Sequence, residues 1–137
     1  MTKVRDVMTA EPIVLQQDQS IAEAAQAMRD GAVGAVLVVD GDRLCGLVTD
    51  RDIVVRAVAE ARPPGSPVGQ VVSPDLVAVG ADDETANAAR VMQANAVRRL
   101  PVLDDGRIVG IVSIGDLAVS QGENSALAGI SAAEPNE

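Results

Sequence analysis

Gly46-Leu47-Val48-Thr49-Asp50-Arg51-Asp52 reads as the end of a buried strand running straight into a helix N-terminus. Shifted by 64 residues, the pattern returns as Gly110-Ile111-Val112-Ser113-Ile114-Gly115-Asp116. Both copies hold a glycine, an apolar pair, a hydroxyl residue and an aspartate three positions after the hydroxyl. The same shift aligns positions 4–53 with 68–117 without a gap, and roughly fifteen of the fifty pairs are identical. Val7/Val71, Asp18/Asp82, Ala25/Ala89, Met28/Met92, Asp40/Asp104, Arg43/Arg107, Gly46/Gly110 and Asp52/Asp116 are among them. A repeat of this length decides the architecture before any motif does: two like units, each too small to bury its own apolar faces, sharing a core.

The first unit, residues 1–61, opens on Val4-Arg5-Asp6-Val7-Met8, apolar at helical spacing and ending near Pro12. Ile13-Val14-Leu15 follows as a short strand. Ser20 caps a helix, and Glu23 three residues on completes a capping-box pattern. Ile21, Ala24, Ala25 and Met28 give that helix an inward face, and Gly31 ends it. Ala35 to Val39 and Leu44 to Thr49 flank an Asp-Gly turn, the pattern of a hairpin buried on both faces. A helix from about Asp50 to Ala61 is expected to turn Ile53, Val54, Ala57 and Val58 inward. Residues 62–67, Arg-Pro-Pro-Gly-Ser-Pro, break regular structure and act as a linker. The second unit spans 68–120, and residues 121–137, small and polar, are expected to be a mobile tail with a helical turn near Leu127. The expected fold class is α/β (α+β), with two β-α-β-β-α repeats packed through their sheets in pseudo-twofold symmetry.

Composition narrows the chemistry. The net charge is −9 over 137 residues, which argues against a nucleic-acid surface but leaves room for a small anion held by local arginines. No run approaches eighteen apolar residues and the start lacks a signal-peptide pattern, so no membrane span and a cytoplasmic address are expected. With no histidine and a lone Cys45, the usual zinc constellations and histidine-based triads are absent, and no metal site is expected. Cys45 reads as a small buried side chain, and Met28 and Met92 as core. No Phe, Tyr or Trp is present, so no aromatic can stack on a base. No convincing carboxylate pair offers acid–base chemistry, and the chain is not expected to be an enzyme.

Two copies of Gly-apolar-apolar-[Thr/Ser]-x-x-Asp at equivalent places, each preceded by an alanine-rich helix, resemble a tandem CBS-domain pair (a Bateman module). Arg98-Arg99-Leu100-Pro101-Val102-Leu103-Asp104 is similar to that family's second-strand segment. The resemblance covers residues 3–120 and is nearest the small stand-alone bacterial members. It implies clefts between the repeats that bind AMP, ADP or ATP, or alternatively NAD or S-adenosylmethionine, with no other cofactor required. It also implies homodimers that assemble through exposed helix faces, and a regulated protein partner that reads the ligand's effect.

Thr49-x-x-Asp52 and Ser113-x-x-Asp116 have the form of capping boxes, worth about 0.5–2 kcal/mol per cap. The same carboxylates can accept both hydroxyls of a ribose, and Thr49 and Ser113 open helices whose N-termini favour phosphate. Local pattern leaves the two roles open; the resemblance favours a ribose role in at least one copy. Leu47 and Ile111, at the strand ends, offer apolar contact for an adenine. Arg98 and Arg99 either bind phosphate or form a solvated pair facing Asp104 and Asp105. The resemblance places them, with Leu100 and Pro101, in the cleft of Asp52, and sends Arg51 to the cleft of Asp116. There the first repeat offers only Gly34 and Ala35 where the second has the arginine pair, so inequivalent sites are expected, with the Asp52 cleft the tighter for phosphorylated ligands. The alternative function is a ligand-free dimeric scaffold of the same fold, its motifs serving only as helix caps.

Overall fold

The structure is a computed structural model and describes residues 2–73 and 77–121. An N-terminal segment carries α1 (Val4–Val7) and β1 (Thr9–Ala10). The first repeat continues with β2 (Val14–Gln16), α2 (Ile21–Gly31), β3 (Ala35–Asp40), β4 (Arg43–Thr49) and α3 (Asp50–Asp52), which runs on as a π-helix over Ile53–Val58. A 3-10 turn at Val68–Val71 leads to the second repeat: β5 (Val79–Gly80), α4 (Thr85–Asn95), β6 (Arg99–Asp104), β7 (Arg107–Ser113) and α5 (Ile114–Gln121). The strand and helix order expected of each repeat is therefore present twice.

The chain forms two compact units, and each takes its opening segment from in front of the other repeat. In the first-repeat unit β2 pairs parallel with β3, and β3 antiparallel with β4. Its core gathers Leu15, Ile21, Ala24, Met28, Val36, Val38, Val48 and Ala57, closed by Val68 and Val71 of the 3-10 turn. The second-repeat unit has sheet order β1-β7-β6-β5, and Val4 of the N-terminal segment is fully buried in its core with Val79, Ala88, Met92, Leu100, Val102, Val112 and Leu117. The two attachments are copies of one another. Val68 donates its N–H to the Gln19 carbonyl as Val4 does to that of Asp83, and Gly69 to Gln17 as Arg5 to Ala81.

This exchange explains the first letter of the repeated motif. A Cβ on Gly110 would lie 2.6 Å from Met8 Sδ and 2.7 Å from the Thr9 carbonyl oxygen, because the chain entering β1 runs close beside it, with Ala10 opposite Gly110. A Cβ on Gly46 would lie 2.5 Å from Val72 Cγ1 and 2.9 Å from the Ser73 oxygen. Glycine is required by the close approach of a backbone. Charge also holds the N-terminal segment: Arg5 Nε lies 2.9 Å from Asp82 Oδ1, and its Nη2 3.2 Å from Asp104 Oδ2. The hydrogen bond from Arg5 holds the Asp82 carboxyl below its ordinary range.

Several expectations need correction. In α2, Ile21, Ala24 and Met28 are buried but Ala25 is exposed. Gly31 does not end that helix; Ala32 does, in the left-handed region at φ 51°, and Ala96 repeats this at φ 53°. Ser20 caps as expected, accepting from the Glu23 N–H at 3.0 Å. The hairpin is buried on both faces only along β3, the middle strand; β4 is an edge strand and fully buries only Gly46 and Val48. The helix after β4 keeps Ala57 inside, yet Val54 is 58% and Val58 69% exposed. Its Ala59 N–H reaches back five residues to Val54, and this wider winding turns the neighbouring valines off the buried face. Residues 62–67 are irregular, but they are tied down: the N–H groups of Ile21 and Ala22 donate to the Ser66 and Pro64 carbonyls. Those bonds satisfy donors that the first turn of α2 leaves unpaired. Cys45 is half-buried. The expected turn near Leu127 lies outside the described residues.

Candidate functional site

In each unit the expected site residues gather at one end of the hairpin. Ala35 opposes Thr49 across β3 and β4, and Leu37 opposes Leu47. The Asp50 N–H donates to the Gly34 carbonyl at 3.0 Å, which fixes the α3 start beside the β3 entry. The second repeat copies this: Arg99 opposes Ser113, Pro101 opposes Ile111, and the Ile114 N–H donates to the Arg98 carbonyl at 2.8 Å. Pro101 is tolerated inside the sheet because two-residue β5 pairs only with Val102 and Leu103.

At the turn itself both capping boxes are complete. Asp52 Oδ2 accepts from the Thr49 N–H at 2.9 Å, and Thr49 Oγ1 from the Asp52 N–H at 3.1 Å. Asp116 Oδ2 accepts from Ser113 at 2.8 Å, and Ser113 Oγ from Asp116 at 3.1 Å. The cap consumes one oxygen of each carboxylate and leaves Oδ1. Capping and diol binding are thus compatible on one side chain. Both aspartates are half-buried, where a hydrogen bond competes less with water.

The arginines differ in standing. Arg98 and Arg51 are exposed and Arg99 is half-buried at the start of β6. Among the described residues none of the three forms an ion pair, and Asp104 is engaged by Arg5 instead. No ion pair joins Arg98 or Arg99 to Asp104 or Asp105 among the described residues, which leaves a solvated arginine pair as the alternative to phosphate binding. Leu100 is fully buried in the second-repeat core, whereas Ala35, also buried, stands on the face of β3 opposite to the core residues Val36 and Val38. Leu47 and Ile111 are half-buried and remain available.

The helix N-terminus of the first repeat is less open to phosphate than its sequence suggests. The Asp50 N–H is taken by Gly34, that of Arg51 by Asp50 Oδ1 at 2.9 Å, and that of Asp52 by Thr49. Phosphate would have to be met by side-chain cations. Sequence reading missed one such cation. Arg56 Nε lies 3.8 Å from Asp52 Oδ1, and Arg56 Nη1 donates to the Val72 carbonyl at 3.1 Å. The i, i+4 spacing of Asp52 and Arg56 was the available signal.

The chain belongs to the CBS-domain family, which matches it twice, at residues 4–58 and 68–121. The CBS domain-containing protein YhcV of Bacillus subtilis is 41% identical over 135 residues, spanning 96% of each chain. Among solved structures, the CBS domain pair of protein MJ0100 in complex with 5-methylthioadenosine and S-adenosyl-L-methionine superposes at a TM-score of 0.81, 26% identical over 91% of this chain and 99% of that one. CBSX2 in complex with AMP superposes at 0.73, 27% identical over 88% and 96%. Hypoxic Response Protein I with two coordinated zinc ions superposes at 0.76, 35% identical over 85% and 97%. This chain has no histidine, and among the described residues no three potential ligands are grouped as for a metal, so its donor set does not match the usual zinc centres. No described helix is long and apolar enough to cross a membrane.

Proposed function

We propose that this chain is a regulatory module that binds an adenosine-containing ligand without turning it over. The observation that carries the reading is the spare Oδ1 of Asp52 and of Asp116, each held beside a hydroxyl and an apolar strand end by a cap that uses only the other oxygen. A ribose diol needs such a fixed, charged acceptor. The 5-methylthioadenosine, S-adenosylmethionine and AMP bound by its structural relatives support the same ligand class. Within it, AMP, ADP or ATP is the ligand of choice, with Arg98 and Arg99 meeting the phosphates and Leu47 and Ile111 the base. Binding shifts the conformational equilibrium of the module, and a partner protein reads the change. Homodimerisation through the helix exposing Val54, Val55 and Val58 belongs to the same proposal.

The second reading, a ligand-free scaffold, draws on the completeness of both capping boxes, which explains the motifs without any ligand. One experiment separates them. Lacking Trp and Tyr, the protein is nearly blind at 280 nm, so absorbance near 260 nm reports a co-purified nucleotide directly. Release by denaturation and identification of an adenosyl compound is expected. No such compound, and no calorimetric heat with AMP, ATP, NAD or S-adenosylmethionine, would leave the scaffold.

A further inference from the structure

We propose that Arg56 sets the charge of the Asp52 site and thereby suits it to anionic adenosine ligands, while the Asp116 site suits uncharged or cationic ones; the inference rests on the ribose-binding reading above. A ribose carboxylate near a phosphate is a liability, because two negative charges in a half-buried site repel. At Asp52 that repulsion is answered locally. The guanidinium of Arg56 stands 3.8 Å from Oδ1, with the two side chains 41% and 14% exposed. The separation is ionic but too long for a hydrogen bond, so the lone pairs of Oδ1 remain open to a hydroxyl. The hydrogen bond from Nη1 to the Val72 carbonyl fixes the cation in place.

The second repeat lacks this device. The residue matching Arg56 is Ser120, whose hydroxyl donates to the Leu117 carbonyl at 2.8 Å. Among the described residues no cation lies within 4.0 Å of Asp116. An identical cap therefore presents a compensated carboxylate in one repeat and an uncompensated one in the other. Ligand charge, rather than the adenosine they share, is what the two aspartates discriminate.

Calorimetry at low salt with AMP and with adenosine, on wild type, Arg56→Gln and Arg56→Lys, tests this. Arg56→Gln should lower the ratio of AMP to adenosine affinity about tenfold, the scale of one charge acting over several ångströms of partly wet protein. Arg56→Lys should hold the ratio within about threefold of wild type, and added salt should shrink the difference. Both variants disturb the contact with Val72, so any loss of stability common to them, read by thermal melting, leaves the ratio as the discriminating quantity. An unchanged ratio in Arg56→Gln, or an equal fall in Arg56→Lys, overturns the role of Arg56 while leaving the adenosine site standing. Wild-type protein that binds neither compound removes the site and this inference together.

Discussion

Replacing Asp52 or Asp116 by asparagine separates the two duties these side chains are assigned. The cap needs one acceptor: Asp52 Oδ2 at 2.9 Å from the Thr49 N–H, Asp116 Oδ2 at 2.8 Å from that of Ser113. An amide oxygen can fill that place, so each Asn variant should lose no more than about 0.5 kcal/mol, the ordinary scatter of a mild substitution. Alanine leaves the N–H unpaired at a half-buried turn and should cost about 1 kcal/mol, as a lost cap does. Ligand binding should rank them differently. The amide NH2 replaces Oδ1 with a donor, and a hydrogen bond to a charged group is worth about 1.5–3 kcal/mol, or roughly tenfold to a hundredfold in affinity. Urea unfolding measures the first quantity, and calorimetry with adenosine, whose lack of charge avoids confusion with phosphate repulsion, measures the second. Near-native stability with binding lost at the altered site is the expected pair of results. Asn variants that bind adenosine like wild type, while Ala variants lose only stability, would refute the reasoning and reduce both aspartates to caps.

Gly110→Ala should destabilise by about 2–3 kcal/mol in urea unfolding, the upper part of the overpacking range, because its Cβ meets the Thr9 carbonyl oxygen at 2.7 Å. Adding Met8→Ala should not restore the loss, since the sulfur can move and the carbonyl cannot; restoration would show that β1 is loosely held. Arg99→Ala should weaken AMP by about 1.5–3 kcal/mol in calorimetry and leave adenosine nearly untouched. Equal effects on both would remove Arg99 from the phosphate. The Arg5–Asp82 pair gives a pH signature. The folded pKa of Asp82 lies below its unfolded value, so its stabilisation is present above the ordinary carboxylate range near about 4 and is lost as pH falls through the folded value. The melting-temperature gap between wild type and Asp82→Asn should therefore hold steady from neutral pH to about pH 4 and close below it. A gap that instead closes as pH rises would reverse the sign and exclude the pair as its source.

Much of the fold was legible because period and spacing are local properties. The gapless repeat gives the doubled order of strands and helices, and Ser20 with Glu23 marks the start of α2 in residues that touch one another. The capping boxes at Thr49 and Ser113 were equally readable. The π-winding after Asp52 was not, for Val54 and Val58 fit an α-helical inward face as well as Ile53 and Ala57 do. Nor was Ala32 expected to hold a left-handed backbone that glycine adopts more cheaply. The role of Gly46 and Gly110 depends on a segment contributed from elsewhere in the chain, Val72–Ser73 for one and β1 for the other, which no window around the motif contains. The same holds for Arg56, whose spacing to Asp52 was visible but whose anchor, the Val72 carbonyl, was not.

The exchanged opening segments order events during synthesis. The first-repeat unit can close once residues through Ser73 are available, and among the described residues its backbone ties reach no further than from Gln17 to Gly69. Val4 and Arg5, by contrast, bind partners as far along as Asp104, 99 residues ahead of Arg5. The segment from Lys3 to Ala10 is thus made well before the partners it binds, and it waits unpaired while the intervening unit closes. Their charge suits the wait: Lys3, Arg5 and Asp6 keep the segment solvated until β7 exists to receive it. Val4, Val7 and Met8 are exposed in the interval, a small apolar load for a segment that later closes the core of the second-repeat unit.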